Sequence, residues 1–177
     1  MHVTSVNQAA RHVVRKAPVA SIHLRVGLGA EGDAHSGALV QHRYDRRRDP
    51  SRPNLRQVHL LGAELLEELE RAGYRIAPGD LGENITTGGI DLASLPAATR
   101  LRIGSAAVVE LTGVREPCVL LDRIASGLRV AAAAERHGEA ILRHGAMAIV
   151  LESGQVRAGD AIEVSLPPRP HRPMRTV

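Results

Sequence analysis

The one cysteine of the chain, Cys118, follows Pro117 and stands three residues after Arg115. A cationic neighbour lowers a thiol pKa and favours the thiolate, the form that attacks sulfur or binds a soft metal. A lone cysteine also fits as a small core hydrophobe, so both readings stand on sequence. Asp33 and His35 lie two apart in the run Gly29-Ala30-Glu31-Gly32-Asp33-Ala34-His35-Ser36-Gly37. In an extended segment such residues point the same way. The pair suits metal ligation, or a carboxylate that orients an imidazole for proton transfer. The competing reading is a turn in which Asp33 caps backbone amides. His59, beside Arg56 and Gln57, suits a satisfied core histidine or a ligand. His35, His59 and Cys118 together would give three zinc ligands, but at no recognised zinc spacing. Glu83 and Asn84 follow Gly79 and Gly82, which suits close approach to a ligand or an ordinary turn.

Other chemistries are missing. Gly29-x-x-Gly32 is too loose for a dinucleotide fingerprint, and Lys16 is remote in sequence from any glycine loop, so no phosphate-loop lysine exists. There is no nucleophile-elbow serine and no metalloprotease helix. One cysteine excludes an internal disulfide and a Cys-only zinc site.

These residues need elements to hold them. Alternating apolar and polar positions over residues 1–26 read as strands joined by a polar turn. Gly27–Gly37 reads as a loop. Arg43–Pro53, dense in charge and bounded by prolines, reads as an exposed loop. Arg56–Leu61 is a short strand. Ala63–Ala72 carries Leu65, Leu66 and Leu69 at helical spacing and is an amphipathic helix stopped by Gly73. Pro78–Ile85 is a turn running into a strand, and Ile90–Leu95 a single helical turn. Arg100–Ile103 and Ala106–Thr112 are strands around Gly104-Ser105. Leu120–Ile124 and the Ala-rich Arg129–His137 read as helical. Ala146–Glu152 is a strand, Ser153-Gly154 a hairpin turn, and Ile162–Leu166 a closing strand. Residues 1–166 therefore read as a single domain, mainly β with a few helices, with a Pro/Arg-rich tail over 167–177 that is extended or disordered.

Composition narrows the function classes. The 177 residues contain no Phe, no Trp and two tyrosines, Tyr44 and Tyr74. Modules that stack bases on aromatic platforms are disfavoured, as are membrane-interface aromatic belts. Of 23 basic residues only Lys16 is a lysine, and the net charge is +4. Coding bias accounts for most of that arginine excess, although guanidinium forks suit anions. No signal-peptide core is present, and no stretch approaches the roughly 20 apolar residues of a membrane span. The reading is a cytoplasmic protein with no nucleic-acid and no membrane partner.

The order of motifs resembles the MOSC domain, the C-terminal domain of molybdenum cofactor sulfurases, which also occurs as free-standing bacterial proteins. The resemblance rests on Gly29–Gly37, Arg56-Gln57-Val58-His59-Leu60-Leu61, Pro78-Gly79-Asp80-Leu81-Gly82-Glu83-Asn84-Ile85, Leu101-Arg102-Ile103-Gly104, Thr112-Gly113-Val114-Arg115-Glu116-Pro117-Cys118 and Gly154-Gln155-Val156-Arg157-Ala158-Gly159-Asp160. It is strongest to the small stand-alone subgroup related to YiiM. It implies a distorted β-barrel and a molybdenum cofactor, with Cys118 ligating molybdenum or carrying sulfur. It implies catalytic roles for Cys118, Asp33 and His35, and cofactor contacts from Arg56, Gln57, His59, Asn84, Thr112, Arg115 and Arg123. No pyridoxal phosphate is expected in this chain. Three functions follow as expectations: reduction of N-hydroxylated compounds at a Cys118-ligated molybdenum, sulfur transfer through a Cys118 persulfide, or non-catalytic cofactor carriage. The partners implied are molybdopterin or a small-molecule substrate, and a reductase or sulfur donor. An interaction domain with an inert Cys118 is the rival outside this class.

Overall fold

The computed structural model describes residues 1–115, 119–132, 134–136, 139–141 and 145–177, with backbone alone for 134–136 and 139–141. Its strands are β1 (His2–Gln8), β2 (Ala17–Pro18), β3 (Ile22–Arg25), β4 (Gly29–Ala30), β5 (Val58–Gly62), β6 (Ile85–Gly88), β7 (Arg100–Ile103), β8 (Ala107–Val114), β9 (Ala134–Arg136), β10 (Glu139–Ile141), β11 (Ala146–Glu152), β12 (Gly154–Val156) and β13 (Ile162–Ser165). The described helices are α1 (Arg43–Arg48), α2 (Ala63–Arg71) and α3 (Leu128–Ala131), with 3₁₀ turns at Leu92–Ser94 and Val119–Arg123.

Eight strands form one sheet in the order β13-β7-β8-β11-β5-β6-β1-β2, and β12-β3-β4 form a second. All pairs in the large sheet are antiparallel except β5 with β6. The fold is mainly β, but the sheet is not closed into the expected barrel. The edge strands are too short to ladder together: β2 has two residues and β13 four. Among the described residues its ends meet through the His2–Ala161 bridge and hydrogen bonds from Val3 N–H to the Asp160 carbonyl (2.8 Å), Gly159 N–H to the Val3 carbonyl (2.8 Å) and Ile162 N–H to the Met1 carbonyl (3.1 Å).

One register row organises the centre of the sheet. Val114, Ala146, Leu60, Ile85 and Val6 align across β8, β11, β5, β6 and β1. All but Val114 are buried and belong to the main core, with Leu24, Leu101, Ile103, Val109 and Leu111. Non-aromatic side chains alone fill this core, as expected of a chain with no Phe, no Trp and two tyrosines. Arg115, Gly145, His59, Asn84 and Asn7 are the chain neighbours of that row. Side chains alternate across a strand, so these polar residues face away from the main core. On that other side α2 buries Leu65, Leu66 and Leu69 against Leu61, Leu81, Leu121 and Leu128. Each buried leucine contributes about 1.5–3 kcal/mol.

Three segments depart from the sequence reading. Arg43–Pro53 begins with the six-residue helix α1, which buries none of its side chains and so leaves no apolar signal. Arg129–His137 is helical only to Ala131, and Ala134–Arg136 pairs with β10. Alanine runs carry helix propensity but no stripe that fixes where a helix stops. Gly154 does not turn the chain back onto β11; it opens β12, which pairs with β3 in the second sheet. The tail, expected to be extended or disordered, runs extended along the large sheet: Ala97 N–H donates to the Arg172 carbonyl (2.9 Å) and Val114 N–H to the Arg175 carbonyl (3.0 Å).

Candidate functional site

Asp33 is the centre of a buried polar network. The β3–β4 hairpin lifts the glycine loop over the end of β1, where Ala34 N–H donates to the Ala9 carbonyl (2.8 Å). Asn54 fastens the far side of this loop through the His35 (3.0 Å) and Gly37 (2.9 Å) carbonyls. Asp33 Oδ2 accepts from Lys16 Nζ at 2.8 Å, Asn84 Nδ2 at 3.1 Å and Ala9 N at 3.3 Å. Asp33 Oδ1 accepts from His35 N at 3.0 Å and lies 3.2 Å from His35 Nδ1. Burial alone would raise the Asp33 pKa. The His35 hydrogen bond, then the charge and hydrogen bond of Lys16, outweigh burial and hold it far below the ordinary carboxylate range. Burial pulls the Lys16 ammonium below its usual value and Asp33 opposes that. With 3% and 2% side-chain exposure and a 2.8 Å contact, the two form a buried ion pair.

The tautomers follow from donor arithmetic. An ionised carboxylate only accepts, so His35 carries its proton on Nδ1 and turns Nε2 away from Asp33. His59 is fixed the opposite way. Its Nδ1 lies 3.0 Å from Arg115 Nη1, and a guanidinium only donates, so His59 Nδ1 accepts. Arg115 Nη1 also donates to the Leu81 carbonyl (2.6 Å). Asn84 joins the two histidine regions: its Oδ1 accepts from His59 N (3.2 Å) and its Nδ2 donates to Asp33. Gly145, at φ +88°, leaves the space His59 occupies; a Cβ there would stand 2.6 Å from His59 Nε2.

Asp33, His35, Asn84, His59 and Arg115 thus form one connected constellation. Other residues singled out on sequence have different partners. Gln57 spends both ends of its amide inside the fold, donating to the Gly27 carbonyl (2.8 Å) and accepting from Val150 N (3.0 Å). The Thr112 hydroxyl faces the carbonyls of Leu55 (2.6 Å) and Met147 (3.0 Å). Arg56 pairs with Asp45 of α1 at 3.3 Å. Arg123 is exposed on its 3₁₀ turn. Cys118 lies outside the described residues. Among the described residues no three of His, Cys, Asp and Glu are grouped to hold a metal.

Sequence reasoning missed Lys16, His12 and His42. Lys16 is far from the glycine loop along the chain yet touches it in space. Its signal was its type: the one lysine among 23 basic residues, a compact charge that fits a closed pocket. His12 packs edge-on to His35 with ring centroids 4.9 Å apart, and the His42 ring is tilted against His35 with centroids 6.0 Å apart. Glu83 is wholly buried; its Oε1 accepts from Gly79 N (2.6 Å) and Thr86 Oγ1 (3.0 Å), while Oε2 has no partner among the described residues. Burial raises its pKa against the opposing effect of those donors.

Comparison with known proteins gives the family and the fold. The model of the MOSC domain matches residues 35–163. No curated protein matches the chain. Among solved structures the chain is similar to the YuaD protein of Bacillus subtilis, with TM-score 0.76 and 23% identity over 94% of this chain and 96% of that one. It is similar to YiiM of Geobacillus stearothermophilus, with TM-score 0.65 and 18% identity over 97% and 78% of the two chains. It is also similar to YiiM of Escherichia coli, with TM-score 0.62 and 21% identity over 97% and 73%. No helix among the described residues is long and apolar enough to cross a membrane. Lys16 and Asp33 precede the matched span, but Asn84 ties them to residues inside it. The chain belongs to the MOSC domain family.

Proposed function

We propose that the protein binds a molybdenum-containing pterin cofactor and reduces N-hydroxylated compounds, with the Cys118 thiolate ligating the metal. The observation that carries this reading is the Asp33–His35 pair, a histidine oriented by a buried, ionised carboxylate in a strongly cationic surrounding. The charge set suits an anionic pterin: Arg115, Arg56 and Lys16 make the surroundings of the Asp33–His35 pair positive. No Phe or Trp is available, so the ring would rest on guanidinium planes and backbone. When bound, such a cofactor would supply two-electron redox chemistry. Reduction of R–NHOH consumes two electrons and two protons and yields R–NH2 and water. In our reading His35 Nε2 holds and delivers a proton, Asp33 keeps the ring in register, and Lys16 keeps Asp33 ionised. A reductase partner supplies the electrons.

The test is metal and pterin analysis of the purified chain, followed by an assay for N-hydroxylamine reduction with a supplied electron donor. Cys118→Ser should lose cofactor retention and turnover while costing about 1 kcal/mol or less in stability. Retained turnover in that variant refutes the ligand role. A persulfide on Cys118 without reductase activity selects sulfur transfer, and bound cofactor without turnover selects carriage.

A further inference from the structure

A second set of residues lies on the solvent side of His35. His12 comes from the turn after β1, His35 from the glycine loop, and His42 immediately precedes α1, so three separate segments bring three imidazoles together. Arg43 and Arg46 are one helical turn apart on α1, and their charges reach His12. Arg56 and Arg115 reach His42. The nearby acids are already engaged: Asp33 with Lys16 and His35, and Asp45 with Arg56. By contrast, the rings of His12 and His42 and the guanidiniums of Arg43 and Arg46 have no hydrogen-bonding or ion-pair partner among the described residues. Tyr44 and Arg48 occupy a different side of the same helix and satisfy each other. His42, Arg43 and Arg46 are exposed, so this cationic cluster is open to an anion from solution, and guanidinium and imidazolium groups bind oxyanions through charge-assisted hydrogen bonds.

We propose that His12, His42, Arg43 and Arg46 form a binding site for the oxyanion group of a small ligand, of the phosphate or sulfate type, which takes up a proton as it binds. Charge balance explains the proton. His12 faces His35, Arg43, Arg46 and Asp33; His42 faces Arg56, His35, Asp45 and Arg115. Burial disfavours the charged form of both rings, and around each the cations outnumber the acids, which lowers both pKa values further until an anion offsets that field. The bound anion then favours the imidazolium. This site requires neither Cys118 nor a cofactor, so it stands or falls separately from the reductase reading.

The probe is inorganic sulfate, whose charge is constant between pH 5 and 8. Calorimetric titration of the full chain in two buffers of different ionisation enthalpy reads affinity and proton uptake together. We expect net proton uptake and binding that tightens as pH falls, by up to about tenfold per pH unit for each proton taken up. Arg43→Gln/Arg46→Gln and His12→Gln/His42→Gln should each weaken binding at pH 6 at least several-fold, while Cys118→Ser leaves it unchanged. Competition in cofactor-loaded protein separates two sources of the group: displacement of sulfate by the loaded cofactor marks a cofactor oxyanion, and undiminished sulfate binding marks a substrate oxyanion. Sulfate binding without proton uptake, or native affinity in either double variant, overturns the proposal.

Discussion

Lys16 and Asp33 show how single residues set the character of this site. Two charges buried to this depth are costly to desolvate, and their attraction offsets that cost only when the remaining lone pairs are satisfied. Asp33 meets that condition through His35, Asn84 and two main-chain N–H groups. Lys16→Met should therefore cost about 3–5 kcal/mol, because it strands the carboxylate without its cation. Lys16→Met/Asp33→Asn should cost clearly less than the sum of the two single changes, because both charges go together. Urea denaturation of the four proteins of this cycle checks it; strict additivity would show that the pair is not coupled. Asp33, His35, His59, Asn84 and Arg115 could be picked from the sequence because glycines and motif order surround them. Lys16 could not be placed, since the contact that gives it meaning spans 17 residues and depends on the path of β1 and the glycine loop.

At the level of elements, legibility followed the strength of the apolar pattern. α2 was readable because Leu65, Leu66 and Leu69 mark one face, and β7 and β8 because a glycine turn separates alternating runs. α1 has no buried face, and the switch of β12 into the second sheet is a tertiary choice that no local pattern records. The tail belongs to this scale as well. Its Arg175 carbonyl and Val177 side chain lie against Gly113, where a Cβ would stand 2.6 Å from Val177 Cγ1. Gly113→Ala should push the tail off β8, at about 1–3 kcal/mol, without touching the register of β8 with β11. Hydrogen exchange checks this: faster exchange of the amides at Ala97, Val114 and Val177, with the β8–β11 amides unchanged. Unchanged exchange at those three positions would mean that the tail contributes no protection. Because Val114 directly precedes Arg115, displacement of the tail should also loosen the Arg115–His59 contact.

Across the whole molecule, the site couples folding to pH in a definite direction. Packing around the ring, then the charges of Arg56, His35 and Arg115, push the His42 pKa down to about 4 from an ordinary 6.5. Burial, His35, Arg43 and Arg46 lower His12 as well. A base whose folded pKa is depressed binds protons better in the unfolded chain, so stability falls as pH drops from the unfolded value toward the folded one. Asp33 acts in the same sense at lower pH: its contribution is present above the unfolded carboxylate pKa and is lost on further acidification. Glu83 opposes them. Its folded pKa is raised, so its contribution is present below the unfolded value and is lost as pH rises through the folded one. His42 acts between pH 6.5 and about 4 and His12 acts in the same sense below 6.5, while Glu83 acts oppositely above 4.5, so the two histidines should deepen the loss of melting temperature on acidification. For a chain of this length each kcal/mol corresponds to about 2–4 °C. His12→Gln/His42→Gln should flatten the fall between pH 6.5 and 4.5 while leaving the steeper loss at lower pH that Asp33 brings. The measurement is thermal unfolding at half-unit pH steps. A double variant that loses as much stability as the native chain between pH 6.5 and 4.5 would place the acid sensitivity outside this cluster, and would remove the field argument on which the oxyanion site also depends.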